Sequence, residues 1–143
     1  MIRIKVKKLV EDAKIPAYST SGSAGLDLFS SEETEIPPKS WKLIKTGISV
    51  EIPPGYEGQV RPRSGLALKG ITVLNTPGTI DSDYRGEVKV ILINLSDQSF
   101  KVEKGMKIAQ LVISKYEKVD VEISDELSQT ERGEGGFGST GLF

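Results

Sequence analysis

Apolar residues recur at every second position along much of the chain, and glycine and proline break the recurrence at short intervals. Ile2, Ile4 and Val6 alternate with Arg3, Lys5 and Lys7, the pattern of a half-buried strand with a basic outer face. Solvated lysines of this kind are ordinary on an edge strand. Ile44, Thr46, Ile48, Val50 and Ile52 share one face of a second, longer strand. Val90-Ile91-Leu92-Ile93 runs without a polar break inside Val88 to Leu95, which predicts a strand covered on both faces. Ile108-Ala109-Gln110-Leu111-Val112-Ile113 reads the same way except at Gln110, whose amide must find a hydrogen-bond partner there. Turn signals at Ser21-Gly22, Pro37-Pro38, Pro53-Pro54-Gly55, Pro77-Gly78 and Lys104-Gly105 separate these runs. Helical periodicity is confined to a turn or two at Ser64-Gly65-Leu66-Ala67-Leu68-Lys69. Many short strands between such turns predict an all-β sandwich, jelly roll or barrel with at most one short helix.

The length of 143 residues suits one domain. The apolar pattern fades near Ser124, and Arg132 to Gly141 is Gly-dense and unpatterned. The expected organisation is therefore a β core over 1–123 and a flexible arm over 124–143, mobile unless something docks it. Lys and Arg number 19 against 20 Asp and Glu, a net charge of −1, which argues against duplex DNA or an anionic membrane as a bulk electrostatic partner. The opening residues lack an apolar signal core, so a cytoplasmic location is expected. The chain has no cysteine and no histidine. That excludes disulfides, a Cys nucleophile, a Cys/His zinc site and a Ser-His-Asp relay. Any catalytic base must be a carboxylate or lysine, and any metal an oxygen-preferring ion such as Mg²⁺.

Four polar, Gly-punctuated segments can carry chemistry. In Gly22-Ser23-Ala24-Gly25-Leu26-Asp27-Leu28, Asp27 lies between two leucines, either bonded structurally or poised in a site. Arg61-Pro62-Arg63-Ser64-Gly65-Leu66-Ala67 offers guanidinium, hydroxyl and backbone N–H groups, a set that suits phosphate. Asn75 to Glu87 holds Asp81, Asp83, Tyr84 and Arg85 on a predicted hairpin, where either aspartate can hold an attacking water. Its polar edge can read a flat heterocycle through backbone groups. In the tail, Phe137 can stack on a base while Arg132, Ser139, Thr140 and glycine amides wrap polyphosphate, without the Gly-Lys-Ser/Thr ending of a P-loop.

With these residues in view, the chain resembles the trimeric dUTPases (deoxyuridine 5′-triphosphate nucleotidohydrolases) from Ala24 to Thr140. The motifs occur in order: Ala24-Gly25-Leu26-Asp27-Leu28, Arg61 to Ala67, Asn75 to Glu87, Gly105-Met106-Lys107-Ile108-Ala109-Gln110-Leu111, and Arg132 to Gly141. The resemblance implies a β jelly roll forming a homotrimer, with active sites at subunit interfaces and the tail closing over substrate. It implies hydrolysis of dUTP to dUMP and pyrophosphate, which keeps uracil out of DNA. Asp81 would be the base that positions water against the α-phosphorus. Asn75, Gly78, Thr79 and Ile80 would read uracil, and Tyr84 would pack under the sugar. Arg63, Ser64, Gly65 and Gln110 would contact phosphates. Arg132, Ser139 and Thr140 would hold the γ-phosphate end, with Phe137 and Gly138 over the base. Mg²⁺ would be chelated by the phosphates, with Asp27 reaching it through water.

The nearest rival reading is a dCTP deaminase, alone or combined with dUTP hydrolysis. That family places a catalytic Glu just after the aromatic of the third motif, where this chain has Arg85. A non-catalytic nucleotide-binding regulator on the same scaffold is a second alternative, against which Asp27, Asp81, Tyr84 and the complete tail all count.

Overall fold

The computed structural model describes residues 1–143. Eleven strands and one helical turn follow the chain as β1 (Lys5–Lys8), β2 (Ala17–Tyr18), β3 (Leu26–Phe29), β4 (Thr34–Ile36), β5 (Ser40–Glu51) and β6 (Tyr56–Arg61), then α1 (Ser64–Ala67), β7 (Ile71–Val73), β8 (Gly78–Ile80), β9 (Glu87–Asn94), β10 (Phe100–Val102) and β11 (Lys107–Lys115). The predicted all-β jelly roll with one short helix is the observed architecture. One sheet has the order β1-β5-β9-β7, the other β2-β3-β11-β6-β8, and β4 pairs with β10. The lysine-rich β1 is an edge strand, as its basic outer face predicts.

The core gathers the inward positions of both sheets. Ile44, Ile48 and Val50 of β5 and Val88, Val90 and Leu92 of β9 are buried with Leu28, Val60, Ile108 and Leu111. Each such side chain contributes about 1.5–3 kcal/mol on leaving water. Asn94, fully buried at the end of β9, is satisfied: its amide donates to Ile36 O at 2.9 Å and Gln98 O at 2.7 Å. The strand around Val90-Ile91-Leu92-Ile93 differs from expectation. Val90 and Leu92 enter the core, whereas Ile91 and Ile93 are half-buried on the outer face, because no layer of this chain lies over them.

The β5–β9 ladder breaks register between Lys45↔Lys89 and Ser49↔Glu87, so β5 advances four residues where β9 advances two. Gly47 occupies this bulge at φ +73°, in the left-handed region that favours glycine. Its N–H donates to Glu87 Oε2 at 2.9 Å, and its carbonyl accepts from Leu9 N at 2.7 Å. A Cβ there would lie 2.7 Å from Val10 Cγ2 and 3.1 Å from Ala13 Cβ. Gly47→Ala therefore combines backbone strain with overlap, and should lower stability by on the order of 1–3 kcal/mol. Equilibrium urea unfolding checks this, and a midpoint unchanged from the parent would show that the bulge relaxes freely.

Candidate active site

Adjacent strands bring the first, second and fourth motifs together. Gln110 on β11 pairs with Asp27 of β3 on one side and Arg61 of β6 on the other. Gly25 admits this arrangement, since a Cβ there would meet Gln110 Oε1 at 2.5 Å. The Gln110 amide, conspicuous in its apolar run, donates to Pro62 O at 3.0 Å. Arg63 Nη1 donates to Lys107 O at 3.1 Å, fixing the segment that leads into α1. At the head of α1, the N–H groups of Ser64, Gly65 and Leu66 have no acceptor within the helix, and Ser64 and Gly65 are exposed. Ser19, Gly25, Asp27, Arg61 and Gln110 line a cavity of about 280 Å³.

Asp27 has partners that its local sequence does not announce. The Ser19 hydroxyl donates to Oδ2 at 2.7 Å, and Lys107 Nζ lies 3.3 Å from the same oxygen. Neither Ser19 nor Lys107 stands out in the sequence; the only signal is that a carboxylate between two leucines needs compensation. Burial pushes the Asp27 carboxyl pKa up, but the Ser19 hydrogen bond, Lys107 and Arg63 outweigh it and hold the group below its ordinary value of 3.8. No group of three or more potential metal-ligating side chains exists in the chain. A divalent ion would fit here only if the ligand's own oxygens supplied most of its coordination, with Asp27 at its waters.

The third motif forms the other half. β8 pairs with β6 through Thr79↔Gln59 and Gly78↔Val60 and is the sheet's edge, so its outer side offers unpaired backbone donors and acceptors. The peptide before Pro77 is cis, and the Asn75 amide lies beside Gly78. The expected hairpin does not form: β8 pairs only with β6, and the chain turns sharply, with Tyr84 N donating to Asp81 O at 3.1 Å and Arg85 Nη1 to Ser82 O at 2.6 Å, before entering β9 in the other sheet. The Asp81 carboxylate is exposed and has no salt bridge or hydrogen bond, in contrast to Asp27. Thr79, Ile80, Asp81 and Tyr84, with Leu43 and Ile91, line a cavity of about 390 Å³.

The two clusters line different cavities, and the tail reaches neither. Arg132 Nε folds back on Gly135 O at 2.8 Å, and Ser139 N bonds Gly136 O at 3.1 Å across Phe137 and Gly138, both at positive φ. Arg132, Phe137, Gly138, Ser139 and Thr140 are all exposed. β11 ends at Lys115, and the alternating Val119, Val121 and Ile123 beyond it are exposed without a strand partner.

The structure is thus a histidine-free jelly roll with an unpaired carboxylate on the turn that follows an edge strand, and a separate polar cluster beside the free N–H groups at the head of α1. A sequence model of the dUTPase family matches residues 11–141. The chain belongs to the dUTPase family. It is 60% identical over 143 residues to a deoxyuridine 5′-triphosphate nucleotidohydrolase of Clostridioides difficile, spanning 99% of this chain and 100% of the relative. A Hydrogenobaculum sp. relative of the same description is 59% identical over 99% of both chains. Among solved structures, the Staphylococcus bacteriophage 80alpha dUTPase with dUPNHPP superposes with a TM-score of 0.92 at 32% identity, covering 99% of this chain and 100% of that one. A phage phi11 dUTPase variant, described as coordinating a structural Mg(II) ion, gives 0.83 at 26% identity over 90% of this chain and all of its own.

The Asp27 environment generates a pH prediction. A folded pKa below the ordinary value of 3.8 means that Asp27 adds stability above that value and loses it as pH falls through the folded pKa. Asp27→Asn should therefore melt lower than the parent by a constant margin above about pH 5, with the margin shrinking as pH drops below 4. Thermal melts across that range check it; a margin that persists undiminished to pH 2 would mean the carboxylate charge is not what stabilises.

Proposed function

We propose that the protein hydrolyses dUTP to dUMP and pyrophosphate at sites shared between subunits of a homotrimer. The observation that carries the mechanism is the unpaired Asp81 carboxylate beside the Tyr84-lined cavity at the edge strand β8. Asp81 takes a proton from a water as the water oxygen attacks the α-phosphorus, and the bond to the bridging oxygen breaks, releasing pyrophosphate. Asn75, Gly78, Thr79 and Ile80 read the uracil edge through the free side of β8, which leaves groups unpaired against cytosine. The Tyr84 ring lies under the deoxyribose. Arg63, Ser64, Gly65 and Gln110 hold the phosphates. Mg²⁺ held mainly by the triphosphate would supply charge neutralisation, and Asp27 is the residue that would face its waters.

The arm carrying Arg132, Phe137, Gly138, Ser139 and Thr140 supplies the lid, extending from the core whose approximate end is residue 123. Subunit sharing is supported by three features of the single chain. The base-side and phosphate-side cavities are separate, and the arm lies free of both. The outer face of β5 and β9 pairs Trp41 with Ile93 and Leu43 with Ile91, and Trp41 and Leu43 stay 60% and 53% exposed. A second copy of this chain is the occupant that covers that face. The absence of cysteine accords with a cytoplasmic setting. Against deamination, Arg85 at the rival family's Glu position is bonded to the Ser82 carbonyl and offers no base.

Asp81→Asn should retain dUTP binding while losing turnover by on the order of 10²–10⁴. Pyrophosphate release from dUTP, dCTP, dTTP and UTP measures this, and the parent should act on dUTP and form no ammonia from dCTP. Near-parental turnover by the variant removes Asp81 as the base, and ammonia from dCTP promotes the deaminase reading. A mixing experiment addresses the shared site. Asp81→Asn and Arg63→Ala chains, each inactive alone, should recover about one quarter of parental activity when refolded together, because one interface in four joins two intact halves. No recovery would place the whole site within one chain.

A further inference from the structure

Tyr84 is 44% exposed, yet its ring is closely seated. Its hydroxyl donates to Glu87 O at 2.8 Å, so the side chain arches over Gly86. A Cβ built on Gly86 would lie 2.6 Å from Tyr84 Cζ and 3.0 Å from Cε1, with the hydroxyl also inside contact distance. Gly86 is not among the residues at positive φ, so its backbone can be adopted by any L-residue. Space for the Tyr84 ring is therefore the reason for glycine at this position.

The surroundings decide what an added methyl would displace. On one side of Gly86, Arg85 Nη1 bonds Ser82 O and Tyr84 O at 2.6 and 3.2 Å, and its Nε lies 3.5 Å from Glu51 Oε1. On the other, the Glu87 carboxylate holds the Gly47 N–H of the β5 bulge. The backbone is anchored at both ends, whereas the ring has solvent to move into. The least costly relief is for Tyr84 to swing outward and lose its bond to Glu87 O.

We propose that Gly86 is a specificity-determining positioning residue: its bare face seats the Tyr84 ring as the floor of the cavity that holds the sugar. Through that ring, Gly86 sets the discrimination between deoxyribose and ribose nucleotides. The inference rests on the reading of Tyr84 as the surface under the sugar, and the test separates the two.

Full-length Gly86→Ala, Tyr84→Ala and the double variant are compared with the parent by kcat/KM for dUTP and UTP and by melting temperature. Gly86→Ala should lower the dUTP-to-UTP ratio by about tenfold or more. With Tyr84 already replaced by Ala, the same change should move the ratio by less than about twofold, since no ring is left to displace. Melting temperature should fall more on Gly86→Ala in the Tyr84 chain than in the Tyr84→Ala background. A parental ratio in Gly86→Ala, or equal effects in both backgrounds, overturns the proposal. If Gly86→Ala alone fails to fold, recovery of folding in the double variant supports it and failure there overturns it. A parental ratio in Tyr84→Ala defeats the reading of Tyr84 itself, and the role of Gly86 falls with it.

Discussion

Along most of their length β5 and β9 keep strict register, and then β5 takes up two extra residues around Gly47. The extra residues would leave a backbone N–H facing the sheet interior with no strand partner, a cost of about 1–3 kcal/mol if unmet. The Glu87 carboxylate meets it. Glu87 is also the first residue of β9 and the acceptor for the Tyr84 hydroxyl through its own carbonyl. One residue thus closes the irregularity in the sheet and fixes the exit of the β8–β9 connection that carries Asp81 and Tyr84. The connection between the two sheets is aimed by the largest departure from regularity in the β5–β9 ladder.

The two aspartates of the candidate site have opposite surroundings, which suits them to the different roles proposed for them. Asp27 has its charge committed, to the Ser19 hydroxyl and the Lys107 ammonium, with its pKa held down. A carboxylate stabilised in its ionised form by close partners is a weak proton acceptor, but a suitable fixed charge facing a cation's water shell. Asp81 has no such partner, and its exposed oxygens are free to hold a water. The division needs no histidine.

Much of this was legible in the residues. Alternation in Ile44, Thr46, Ile48 and Val50 marks a strand whose inward positions are these, and Gln110 stands out because an amide in an apolar run has to be bonded. The bulge was hidden for a physical reason. It adds an even number of residues, so the two-residue parity of inward and outward positions survives across it and the pattern reads as one unbroken strand. The partners of Asp27 were equally hidden, because Lys107 reaches it only through the pairing of β11 with β3. Side-chain pairs made by long-range strand pairing leave no local spacing to read. The same holds for Gly86, where a glycine beside a tyrosine looks like an ordinary turn until the ring is seen lying on it.

The uninterrupted apolar run in β9 joins the sheet to the proposed assembly. Ile91 belongs to the outer face that no layer of this chain covers, and with Leu43 it also lines the cavity beside Asp81 and Tyr84. Covering that face with another copy therefore does more than remove apolar surface from water. It would add a wall to the proposed nucleoside cavity and lower the dielectric around the Asp81 turn, where electrostatic contacts strengthen as water is excluded. On this geometry, assembly and substrate binding draw on the same side chains. A change at Leu43 or Ile91 should then be felt in substrate binding as well as in association, even though neither side chain carries a polar group.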